Sequence, residues 1–186
     1  MEIAGYVVIA IALSVTAFSV ALNTSIFRCL KGGESILIAL TFGVFHVLMF
    51  SIGWLIGHSM QNLLSELSWP IGIFLFILIG ARMIIDYKKV QSDRRTIAVK
   101  DARLILGFGL VTATNAFIVG IGMGFMIANV FIMAVTLFIA AMVLVFLGIW
   151  LGKKGLMNIW KPLELSGGII LILAGLFFVI LLIKMH

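Results

Sequence analysis

The chain has 186 residues, 63% of them hydrophobic and only 11% charged, with a mean hydropathy of +1.30. A soluble domain of this length could not hide that much apolar surface, and a disordered chain would not carry it, so both classes are excluded. The formal net charge is +6, but the basic residues lie between apolar runs and accompany no nucleic-acid-binding motif; they read as membrane-orientation signals, and nucleic acid is excluded as a partner.

A spanning helix needs about 20 mainly apolar residues. Six segments meet that length: 3–27, 35–58, 69–87, 103–127, 130–151 and 163–183. The first follows Met1-Glu2 without a basic leader and is long enough to span, so it reads as a retained helix rather than a cleaved signal. It carries Thr16, Ser19 and Asn23 at spacings of three and four, which puts them on one helical face. The basic turn 28–34 holds Cys29, a lone cysteine that can form neither an intrachain disulfide nor a metal-binding pair.

The second span places His46 near its midpoint and carries Gly53 and Gly57, a small-x-x-x-small packing face. His46 is the one ionisable side chain at mid-membrane depth. An imidazole, with an unperturbed pKa of about 6.5, suits a metal ligand or a proton carrier. The competing reading is a neutral ring hydrogen-bonded in a helix interface. The connection 59–68 is polar and has no Lys or Arg. The third span ends with Arg82 and Asp86 one turn apart, either an interfacial salt bridge or a cytoplasmic gate latch.

After the long charged connection 88–102, the fourth span carries Thr112 and Asn115, with Gly122 further along the same face. Its Gly120-Ile-Gly-Met-Gly124 run follows no strand, so it is a packing face rather than a phosphate cradle. A tight turn at 128–129 leads to the fifth span, which ends in Gly148 and Gly152. The basic connection 152–162 contains Trp160, an interfacial residue, and Glu164 opens the sixth span, where the helix dipole favours an acid. Met49, Met123 and Met126 read as packing residues.

Orientation follows from charge. Every Lys and Arg except Lys184 falls in or beside the first, third and fifth connections. The positive-inside rule puts those connections in the cytoplasm and both termini outside.

The chain also echoes itself. Gly148 and Gly152 follow Gly53 and Gly57 by 95 positions, and Gly167 and Gly175 follow Gly72 and Gly80 by the same interval. Asn115-Ala-Phe-Ile-Val follows Thr16-Ala-Phe-Ser-Val by 99. The expected fold is therefore an all-α integral membrane protein of six transmembrane helices, arranged as two inverted three-helix repeats, 1–93 and 94–186.

A polar residue halfway through an apolar span is costly and usually faces protein or a water-filled path. Two such residues at matching places of two halves, Thr16 and Asn115, point to a site between repeats, with His46 at similar depth. For Ser19 and Thr112 taken singly, hydrogen bonding across packed helices is the stronger reading. The chain has no HExxH, no Cys pair, no Walker loop and no paired mid-membrane carboxylate, so an enzyme is not expected.

These residues resemble the MntP family of small bacterial manganese efflux pumps. The resemblance is carried by the two Ala-Phe-x-Val segments, Phe42-Gly43 with Ile52-Gly53-Trp54, Gly80-Ala-Arg-Met-Ile-Ile-Asp86 and Leu165-Ser-Gly-Gly168. It covers essentially the whole chain. It implies a six-helix inverted repeat in the bacterial inner membrane, exporting divalent manganese with no permanently bound cofactor. The family typically carries Asp where this chain has Thr16 and Asn115, and some members carry an acid at His46. Manganese prefers hard oxygen ligands, and carboxylates would also neutralise its charge.

The expected function is thus manganese export by alternating access around Thr16, His46 and Asn115, with Asn23, Ser19 and Thr112 along the route. The alternatives are a transporter of another small solute or cation, and a non-transporting membrane partner docking through the basic loop 88–103. The expected partners are the lipid bilayer and the transported cation, with a homo-oligomer left open.

Overall fold

The computed structural model describes residues 3–27, 32–61, 63, 67–90, 102–126, 129–154 and 160–185, with the side chains of 26–27, 32, 86–90, 102–106, 160–164 and 181–185 outside that description. It holds six helices: α1 (Ile3–Phe27), α2 (Gly32–Met60), α3 (Ser68–Val90), α4 (Ala102–Phe125), α5 (Val130–Lys153) and α6 (Trp160–Met185). Among the described residues there is no strand. The first five are each long and apolar enough to cross a bilayer, and α6 contributes a shorter described apolar stretch, Leu165–Ile180.

The helix ends differ from expectation by a few residues, each for a local reason. α2 starts at Gly32 rather than 35, which places Glu34 in its first turn, where the dipole favours a negative charge. α4 stops at Phe125 because the chain tightens: the Met126 N–H donates to the Met123 carbonyl at 3.2 Å. Asn129 then starts α5, its side-chain oxygen accepting from the N–H groups of Phe131 and Ile132. α6 takes Lys161 and Pro162 into its first turn, where proline's missing N–H costs nothing.

The helices form a closed ring in the order α1, α5, α2, α4, α3, α6, and α1 also touches α4 across its middle. This puts α1 and α4 at the centre. Of their spans, 56% and 61% is buried, against 22–39% for α2, α3 and α5. The central helices are the two that carry the polar echo.

Backbone contact brings the ring together. In lipid no hydrophobic force drives one apolar helix onto another, so association rests on close packing. A Cβ built on Gly53 would collide with the Phe117 carbonyl oxygen, and one on Gly57 with that of Ile121. Across the ring, Gly148 lies on the Phe18 carbonyl and Gly152 on the Leu22 carbonyl. The contacts also run the other way, since Gly120 lies on the Phe50 carbonyl and Gly124 on that of Trp54. α2 and α4 therefore run in the same direction, as do α1 and α5. Missing side chains let each pair approach to backbone distance, where van der Waals and Cα–H···O contacts are strongest.

These contacts predict a contrast between glycines. Gly57→Leu should lower stability by about 3 kcal/mol or more, because a backbone carbonyl must move rather than a flexible side chain. Gly107→Leu, whose Cβ meets nothing within 4 Å, should stay within about 0.5 kcal/mol of the parent. Thermal unfolding of the detergent-solubilised variants measures both.

Candidate functional site

The polar side chains of the central helices are hidden from lipid. Thr16 on α1 is 9% exposed and Asn115 on α4 is 8% exposed. Ser14, Ser19, Thr112 and His46 are buried as well, and Asn23 is half-buried. Burial of Thr16 and Asn115 follows from their place on the two innermost helices, not from any polar stripe.

Hydrogen bonding then separates them. The Thr16 hydroxyl donates to the Leu13 carbonyl of its own helix at 3.0 Å, and the Thr112 hydroxyl donates to the Gly109 carbonyl at 3.0 Å. Ser14, Thr24 and Ser25 turn back in the same way, to Ala10, Val20 and Leu22. This is the ordinary back-bonding of hydroxyls inside helices. It corrects the reading of Thr112 as interhelical glue: its proton is used within α4. Ser19 is not glue either, because its buried Oγ has no hydrogen-bond partner.

The consequence is chemical. A hydroxyl whose proton is given to its own backbone presents only lone pairs to its surroundings. Thr16 is therefore an oxygen acceptor. The Asn115 amide, which has an acceptor oxygen, makes no hydrogen bond to any described residue. His46 holds its ring through Nδ1, 2.9 Å from the Phe42 carbonyl one turn earlier. Since a carbonyl only accepts, Nδ1 carries the proton in that bond and Nε2 is left as an acceptor. Nε2 is fully buried and has no partner. All three groups thus offer acceptor atoms, and none carries a fixed negative charge. Among the described residues, no group of three or more His, Cys, Asp or Glu side chains comes together.

Arg82 is exposed near the end of α3. The Asp86 side chain, its expected partner, lies outside the described residues, as do the Glu164 and Trp160 side chains and loop residues 91–101.

Residues 29–179 match the family described as "Putative manganese efflux pump". The chain belongs to the MntP family. Three relatives, each named putative manganese efflux pump MntP, are similar over nearly the full length. That of Crocosphaera subtropica is 27% identical over 176 residues, covering 94% of both chains. The second MntP of Clostridium botulinum is 29% identical over 186 residues, covering 94% of this chain and 92% of its own. That of Pectobacterium atrosepticum is 26% identical over 178 residues, covering 94% and 95%. The family match begins after α1, but the relatives' alignments reach into α1 and so include the first polar segment. No solved structure matches this chain.

Two groups of the MntP chain stood out only in three dimensions. Ser14 is wholly buried two residues before the first polar segment. The Tyr6 hydroxyl accepts a hydrogen bond from the Asn129 backbone N–H at 3.1 Å. Asn129 carried a usable signal, an Asn just before an apolar run. Tyr6 carried none.

An unpartnered buried Nε2 makes a prediction about His46. Removing a buried polar atom that lacks a partner relieves a desolvation cost of about 1–3 kcal/mol. His46→Leu should therefore unfold at the parent temperature or above it, where a fully paired buried histidine would lose stability. Thermal unfolding in detergent checks this, and a clear drop would show that the ring is structural.

Proposed function

We propose that this MntP family member is a secondary transporter that exports divalent manganese across the bacterial inner membrane. Its two halves, 1–93 and 94–186, are inverted repeats that alternate access to a site made by Thr16, Asn115 and His46. Both termini lie outside. Asn23, Ser19 and Thr112 line the route, and Arg82 with Asp86 stands at its cytoplasmic end.

One observation carries this reading. Thr16 and Asn115 are equivalent under the sequence echo, occupy the two innermost helices, and present acceptor oxygen atoms away from lipid. Hard oxygen donors are what manganese accepts. The relatives' names supply the cargo. The helix pairings support the repeat: α2 on α4 is answered by α5 on α1, and α3 on α4 by α6 on α1. So do the backbone contacts. The glycines of the two pairs are separated by 95 positions and their carbonyl partners, Phe18 with Phe117 and Leu22 with Ile121, by 99, the intervals of the echo itself. Consecutive spanning helices alternate in direction, so odd-numbered halves oppose each other.

In this mechanism the site replaces part of the ion's water shell with the Thr16 hydroxyl, the Asn115 carbonyl and the His46 Nε2. An uncharged site costs more to load with a dication than one lined by carboxylates, since nothing offsets the lost hydration. Weak binding is tolerable in a transporter, which must release its cargo on the far side.

The same absence of acidic clusters among the described residues favours a second reading, a cargo of lower charge. One experiment separates the two. The chain, Asn115→Leu, and the double variant Thr16→Asp with Asn115→Asp are expressed in a manganese-sensitive, exporter-deficient bacterium. Under the leading reading, the parent restores growth in high manganese and lowers cell manganese, and Asn115→Leu loses at least about tenfold of that export, the cost of one lost ion contact at about 1.4 kcal/mol. Export by the double variant alone would transfer the assignment to the second reading.

A further inference from the structure

The outer turns of α1 are held differently from the rest of that helix. From Phe18 to Leu22, α1 is locked against α5 by the Gly148 and Gly152 backbone contacts. At its start the polar tie is a side chain: the Tyr6 hydroxyl accepts from the Asn129 N–H, 3.1 Å away and 123 positions along the chain. Tyr6 is buried, so its hydroxyl is turned into protein rather than toward the headgroups. Asn129 does two things at once. Its side chain caps α5 while its backbone N–H holds α1.

On the other side, the same turns of α1 have room. An apolar groove of about 940 Å³, open at the bundle surface where Val8, Leu173 and Phe177 are exposed, lies between Ala4, Gly5 and Val8 of α1 and Leu173, Ala174 and Phe177 of α6. Tyr6 and Thr16 are ten positions apart along the helix, about 15 Å. That is half the hydrocarbon thickness of about 30 Å, so the tie sits at one mouth of the route and the polar pair at its middle. The echo does not repeat it: 99 positions on from Tyr6 stands Ile105, which has no hydroxyl. The tie therefore belongs to one mouth only.

We infer that the Tyr6–Asn129 hydrogen bond is a gate latch. It closes the route to Thr16 and Asn115 at the end where α1 begins, and its release lets the first turns of α1 swing into the adjoining groove, pivoting about the glycine contacts at Phe18 and Leu22. A single neutral hydrogen bond suits this role, since it must hold the mouth shut yet break at ambient temperature. The inference rests on the alternating-access reading above.

The test uses the full chain with Cys29→Ser and a reporter, Asn115→Cys, in sealed membrane vesicles of each orientation. A membrane-impermeant maleimide is added to one face at a time. Tyr6→Phe keeps the buried ring and removes only the hydroxyl. It should raise the labelling rate from the face where α1 begins by roughly two- to tenfold, the range of one net hydrogen bond, and leave the other face unchanged or slower. Ala174→Trp, which fills the groove, should cancel that rise. Labelling that is present but indifferent to Tyr6→Phe overturns the latch and leaves the route standing. No labelling from either face in any variant overturns the route, and the latch with it. A rise that persists with Ala174→Trp overturns the swing into the groove.

Discussion

Everything in this fold depends on glycine lying against a backbone carbonyl. In water, an apolar helix face is driven onto its neighbour by the solvent it sheds. In a bilayer that force is gone, and a helix stays with its neighbour only where the two fit more closely than either fits lipid. Gly53 and Gly57 of α2 against α4, and Gly148 and Gly152 of α5 against α1, provide that fit at backbone distance. Because each central helix is gripped this way by an outer one, α1 and α4 are drawn inward and their polar residues leave the lipid with them. The burial of these polar residues is a by-product of how the glycines are spaced.

The centre so formed is polar but uncharged. The hydroxyls of Ser14, Thr16 and Thr112 donate within their own helices, and that of Ser19 has no partner, so none of them ties helices together. What remains exposed to the interior is a set of acceptor atoms: a threonine oxygen, an amide and the bare nitrogen of His46. Such a set can coordinate a cation or hydrogen-bond a water shell, but it cannot cancel charge.

Ties between helices are found at the two ends of the bundle. At one end Tyr6 meets Asn129. At the other, the Lys153 ammonium donates to the Ser35 hydroxyl at 3.4 Å, joining the end of α5 to the start of α2, while Lys154 lies 3.8 Å over the Trp150 ring. The first is a neutral bond shielded from water, the second an ammonium at an exposed helix end, where solvent and salt weaken it. The two ends of the bundle are thus tied by different chemistry.

Much of this was legible in the linear chain. Apolar run length determined the helices, because a run of about 20 apolar residues is the length of a spanning helix, whose backbone is satisfied within itself in lipid. Charge in alternate connections pointed to an orientation, and Thr16 and Asn115 stood out because polar atoms are rare at that depth. Which helices lie inside was not legible. These helices are apolar on nearly every side, so no stripe marks a buried face as it would in water. Only the packed fold decided that α1 and α4 are central, that Thr112 turns back into its own helix, and that Tyr6 reaches Asn129. Those outcomes depend on close contacts between residues far apart in the chain, and hydropathy, which counts one residue at a time, does not register them.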